Sequence, residues 1–154
     1  MCIRDRTDVG RRSPLMAGKP ERFDGFIMHL DEVTRLPPGA TLLATGDHTR
    51  VQALEVKHGK GTFWATQYHP EFNLREMARL IAARAKPLTQ EGFFDAEEDV
   101  VIFTDKLEAL HADPRSTALR AALNIGDDIL DPVIREQELR NWVDHLVLPE
   151  FGKR

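Results

Sequence analysis

Apolar and polar residues alternate between two regimes along this chain, and the change falls near residue 70. Residues 7–24 are polar and rich in Gly, Pro and Arg, which predicts a loop. Phe26-Ile27-Met28-His29 is a short apolar run consistent with a strand, and Leu36-Pro37-Pro38-Gly39 is a turn. Thr41–Thr45 and Val51–Val56 read as two strands of a hairpin around Gly46-Asp47-His48. A further strand over Thr62–Tyr68 follows Gly59-Lys60-Gly61, with β-branched or aromatic residues at five positions.

From there the period becomes helical. Asn73 with Glu76 three residues on is a capping signature, and Leu74, Met77, Leu80 and Ile81 make one apolar face that Pro87 ends or breaks. Asp95 with Glu98 predicts a second cap, before a helix carrying Val100, Phe103, Leu107 and Leu110. Asp113-Pro114 and Asp131-Pro132 each place an acidic N-cap before proline at the first helical position. The helices they open carry Leu119 and Leu123, then Ile134, Leu139, Trp142, Val143 and Leu146 as packing residues. Phe93 and Phe94, beside Gly92, are expected to pack the later helices. Strands first and helices last would by themselves suggest an α+β protein.

Candidate chemistry gathers where the last strand ends. In Gln67-Tyr68-His69-Pro70-Glu71, Pro70 holds His69 out of the helical region. Side chains two apart in an extended chain point the same way, about 7 Å apart at the backbone. A Glu side chain spans that gap and accepts a hydrogen bond from the imidazole. His69 is then fixed in one tautomer and poised as a base for a thiol or hydroxyl nucleophile.

The same five residues resemble the last motif of the class I glutamine amidotransferase family. Ala17-Gly18-Lys19-Pro20, Met28 to Val33, Leu36 to Ala40, Leu42-Leu43-Ala44 and Arg50-Val51-Gln52-Ala53 are similar to successive family segments, in the family's order. Arg135 and Glu138 to Trp142 resemble a helical extension of stand-alone bacterial members. The resemblance covers about residues 13–147 and implies an α/β three-layer sandwich with a mainly parallel sheet, seen by its second half only, plus a carboxyl-terminal helical extension. It implies hydrolysis of the glutamine side-chain amide by a Cys-His-Glu triad, with His69 and Glu71 as its last two members. Other γ-glutamyl amides are substrates of hydrolases with the same triad, and a non-catalytic binding or regulatory module is a third reading. An ammonia-accepting synthetase chain is the partner that the amidotransferase reading implies. His29 and Asp31 sit where the family has Ser-His-x-Asp, with Met28 in place of the serine; a structural hydrogen bond is the expected role for His29.

The family's nucleophile lies in a Gly-x-Cys-x-Gly-x-Gln turn, which this sequence lacks; its one cysteine is Cys2. Met1 to Arg6 resembles a read-through translation of adapter DNA. The expected organisation is therefore residues 1–6 as a scar, 7–86 as the second half of an amidotransferase domain and 87–154 as helical extension. The chain alone is expected to be inactive.

Composition narrows the remaining choices. A formal charge of −4 argues against a nucleic-acid surface, and a single cysteine against a disulfide framework. No stretch approaches the roughly 20 apolar residues that span a bilayer, so the expected setting is the cytoplasm without membrane contact. His48, His58, His111 and His145 show no ligand spacing and are expected at the surface. Neither a metal nor a cofactor is expected.

Overall fold

A computed structural model of the chain describes residues 2–151. They form two compact units, one running to Glu71 and resuming at Asp131, the other spanning Phe72–Leu130. Helices after Pro87 fall in both.

The first unit holds a five-stranded sheet. Its strands are β1 (Cys2–Arg6), β2 (Arg22–Gly25), β3 (Ala40–Gly46), β4 (Ala53–His58) and β5 (Gly61–Thr66), in the order β2-β1-β3-β4-β5. All four ladders are antiparallel, which corrects the expected mainly parallel sheet. For β3, β4 and β5, connector length supplies the reason. Gly59 and Lys60 alone join β4 to β5, and residues 47–52 join β3 to β4. A parallel pair needs a crossover of a dozen or more residues. The sheet and helices together keep the chain in the α/β class. Interior strand β1 comes from the segment compared above with adapter read-through. Ladder hydrogen bonds run through the backbone and make few demands on side chains.

Two expectations about the first unit change. Arg22–Gly25 is a strand rather than loop, pairing with β1 from Cys2↔Gly25 to Asp5↔Arg22. The run Phe26 to His29 is not a strand; Phe26 alone makes an isolated antiparallel bridge, to His69. Single helical turns at Gly10–Arg12 and Pro14–Met16 lie between β1 and β2. Gly10 is pressed against β3 so closely that a Cβ would stand 1.9 Å from the carbonyl oxygen of Leu43. The core joins Leu15, Met16, Phe23, Leu43, Ala44, Ala53 and Tyr68, with Ile27 and Trp64 packed against it. On the β4–β5 ladder Trp64 faces Glu55, and its indole N–H donates to Glu55 Oε2 at 2.7 Å.

The second unit is helical: α1 (Leu74–Ala82), α2 (Ala85–Gln90), α3 (Glu97–Ala112), α4 (Thr117–Leu123) and α5 (Asp127–Leu130). Asn73 and Glu76 form the expected reciprocal capping box on α1, which buries Leu74, Met77, Ala78 and Ile81. The cap of α3 falls one residue later than expected. Ala96 is the N-cap, and its N–H donates to the Asp99 carboxylate at 3.1 Å. Asp113 closes α3 instead of opening α4; Ser116 caps α4, accepting from the Leu119 N–H. Phe94 packs on Phe103, while Phe93 is exposed.

Chain beyond Asp131 returns to the first unit as α6 (Pro132–Arg135), α7 (Gln137–Trp142), a π-helical turn over Val143–Val147 and α8 (Leu148–Phe151). Asp131 caps α6 ahead of Pro132 as expected. The buried face differs from the expected one: Arg135, Glu138 and Asn141 are buried, whereas Leu139, Trp142 and Val143 are exposed. No helix among the described residues is long and apolar enough to cross a membrane.

Candidate functional site

β5 ends at Thr66, short of the expected Tyr68, and the chain bends at Gln67 and Tyr68 while backbone bonds hold it at Gln67 and His69. Gln67 N–H donates to Gln52 O at 2.8 Å, and His69 N–H to Phe26 O at 2.9 Å. The next two side chains differ in burial. Tyr68 is buried, its ring edge-on to Phe23 at 5.4 Å, while His69 keeps 31% of its side chain exposed. Gly25 leaves room for that tyrosine, since a Cβ there would come within 3.1 Å of its ring.

His69 Nδ1 and Glu71 Oε1 stand 2.7 Å apart, the contact that their spacing of two makes possible. An ionised carboxylate only accepts, so the proton lies on Nδ1 and the ring's lone pair on Nε2. The arrangement can take a proton at Nε2 while the carboxylate steadies the cation that forms. With Glu71 45% exposed, the pair contributes little to stability, a few tenths to about 1 kcal/mol.

On the other face of the same segment lies a polar group that sequence reasoning missed. Tyr68 Oη donates to Glu138 Oε1. The same oxygen meets Lys19 Nζ at 3.1 Å, with both charged side chains 2% exposed. Lys19 also donates to Ile134 O at 3.0 Å and sits 4.4 Å above the centre of the Phe23 ring. Asn141 donates to Leu15 O at 2.8 Å and Ala17 O at 2.7 Å, which fastens the loop carrying Lys19 to α7. Glu138 Oε2 is buried without a hydrogen-bond partner among the described residues. Beside this group is an open cavity of about 210 Å³, walled by Leu15, Trp64, Thr66, Glu138, Leu139 and Trp142. Trp142, expected in the core, is therefore a wall residue.

The other histidines fall elsewhere. His29 has its Nε2 buried without a hydrogen-bond partner among the described residues, so the structural bond expected of it is not made there, and Asp31 is exposed. His48, His58, His111 and His145 are exposed as expected. No group of three or more metal-ligating side chains occurs among the described residues.

A γ-glutamyl-L-1-hydroxyisopropylamide hydrolase from Pseudomonas is 34% identical over 148 residues, 96% of this chain and 50% of that protein. A glutamine-hydrolyzing GMP synthase subunit of Ignicoccus hospitalis is 34% identical over 73 residues, 47% of this chain and 38% of the relative. Its counterpart in Thermococcus kodakarensis is 36% identical over 69 residues, 45% of this chain and 32% of its own length. The chain thus spans half the length of these relatives or less. No solved structure matches it significantly. The sequence pattern of class-I glutamine amidotransferases matches residues 1–86, more than half of the 154, and the chain belongs to that family.

Proposed function

We propose that His69 and Glu71 are the base and its orienting carboxylate in a Cys-His-Glu site that hydrolyses a γ-glutamyl amide, glutamine first among them. The observation that carries this reading is the 2.7 Å contact between Nδ1 and the Glu71 carboxylate at the end of β5. In the reaction, Nε2 takes the thiol proton as sulfur attacks the γ-carbonyl carbon. The carbon–nitrogen bond breaks, and the same proton leaves with the amine. Water, activated by His69, then cleaves the thioester to glutamate and regenerates the thiol. The thiol is expected from a Gly-x-Cys-x-Gly-x-Gln turn, which residues 1–154 do not contain. A synthase chain that takes up the ammonia is the partner this reading implies, and the glutamine-hydrolyzing GMP synthase relatives support it.

A second substrate, an N-substituted γ-glutamyl amide, is favoured by one observation: the match to the Pseudomonas hydrolase covers nearly the whole chain, including the helices after residue 86. Release of ammonia from glutamine and of amine from a γ-glutamyl alkylamide, measured side by side, separates the two. The protein to assay carries both the cysteine turn and the present sequence. There His69→Ala should lower turnover about 100- to 10,000-fold. The 154-residue chain by itself should release no ammonia from glutamine; activity that survives Cys2→Ser and is lost in His69→Ala would overturn the need for an outside thiol.

A further inference from the structure

We infer that Tyr68 and Glu138 are positioning residues for His69, acting from the face of the strand turned away from the chemistry. This rests on His69 being the base of the proposed site.

The geometry is a chain of fixed points. Asn141 fastens Leu15 and Ala17 to α7, which places Lys19. Lys19 neutralises Glu138 at 3.1 Å with both groups out of water, so the carboxylate can stay charged and accept from Tyr68. Tyr68 adjoins His69 in the chain, and the N–H of His69 itself is held by Phe26 O at 2.9 Å. A hydrogen bond restrains direction, whereas apolar contact is nearly indifferent to rotation. Anchored by a side chain at 68 and a backbone bond at 69, the segment cannot roll about its own axis. That roll is the motion that would swing the His69 ring off Glu71. Packed apolar side chains would fill the space equally well in energy. Direction is what the polar group adds.

Ring ¹⁵N NMR of the 154-residue chain tests this, with the His69 signals identified by their loss in His69→Gln. The intact chain should show well-separated Nδ1 and Nε2 shifts, the signature of one tautomer. Tyr68→Phe keeps the ring and the Lys19–Glu138 pair and removes only the hydroxyl, and should draw the two shifts together. Glu71→Ala should do the same. If Glu71→Ala changes the shifts and Tyr68→Phe does not, the positioning role is wrong while the His69–Glu71 pairing stands. If Glu71→Ala changes nothing, the pairing itself fails, and the positioning role with it. A second pair of variants covers failure of Tyr68→Phe to fold. Lys19→Met with Glu138→Gln keeps an acceptor for Tyr68 without a buried charge and should keep the separation; Lys19→Met with Glu138→Leu should lose it. Equal shifts in those two would overturn the inference.

Discussion

Replacing Lys19 with methionine leaves the stem of the side chain in place and removes one charge from a buried pair. Glu138, 2% exposed and 3.1 Å from the lost ammonium, would then be an uncompensated buried carboxylate. Breaking such a pair from one side costs about 3–5 kcal/mol, because it leaves a buried charge without its counter-charge. The contact of Lys19 with the Phe23 ring adds to the loss in the same direction. At a urea dependence of about 2 kcal/mol per molar, the midpoint should fall by about 1.5–2.5 M. Trp64 and Trp142, the chain's two tryptophans, both lie in the sheet-containing unit, so their fluorescence reports that unit alone. Converting both members, Lys19→Met with Glu138→Met, should recover most of the loss, giving a coupling of about 2 kcal/mol or more. A single Lys19→Met loss below about 1 kcal/mol, or a double variant as unstable as the sum of the two singles, would refute the buried-pair reasoning.

Two further outcomes test the packing. Asn73→Ala removes one half of the capping box on α1 and should destabilise the helical unit by about 1 kcal/mol, read as faster amide exchange in residues 74–78. Gly10→Ala forces a methyl toward the Leu43 carbonyl, and should lower the tryptophan-detected midpoint by the equivalent of about 1–3 kcal/mol or more; a neutral result would mean the Gly10 turn is not seated on β3.

What the sequence disclosed and what it hid divide along physical lines. The His69–Glu71 contact was legible because a Glu two residues beyond a His, across a proline, lies within reach of its ring. The strands after residue 40 and the cap at Asn73 were legible for the same reason, since short turns and caps are local chemistry. The helices from Pro132 to Val147 were misjudged because apolar periodicity picks out Leu139, Trp142 and Val143, while the buried stripe is Arg135, Glu138 and Asn141. Periodicity assumes that water-loving groups stay in water. Lys19 and Glu138 satisfy each other across more than a hundred residues of chain, and nothing near either announces the other. The expected sheet direction came from resemblance, and two-residue and six-residue connectors should have overruled it locally.

The bridge between Phe26 and His69 has a mechanical meaning. Phe26 directly follows β2 at one margin of the sheet, and His69 lies just beyond β5 at the opposite margin. The hydrogen-bonded path therefore runs β2, β1, β3, β4, β5 and, through this single bridge, back to the residue after β2, with the histidine at the join. A joined path has a fixed length. If any ladder slips by one residue, or any strand spreads from its neighbour, the strain appears where the two ends are joined. The position of His69 is in that sense a measurement of the whole sheet, taken where its two margins meet.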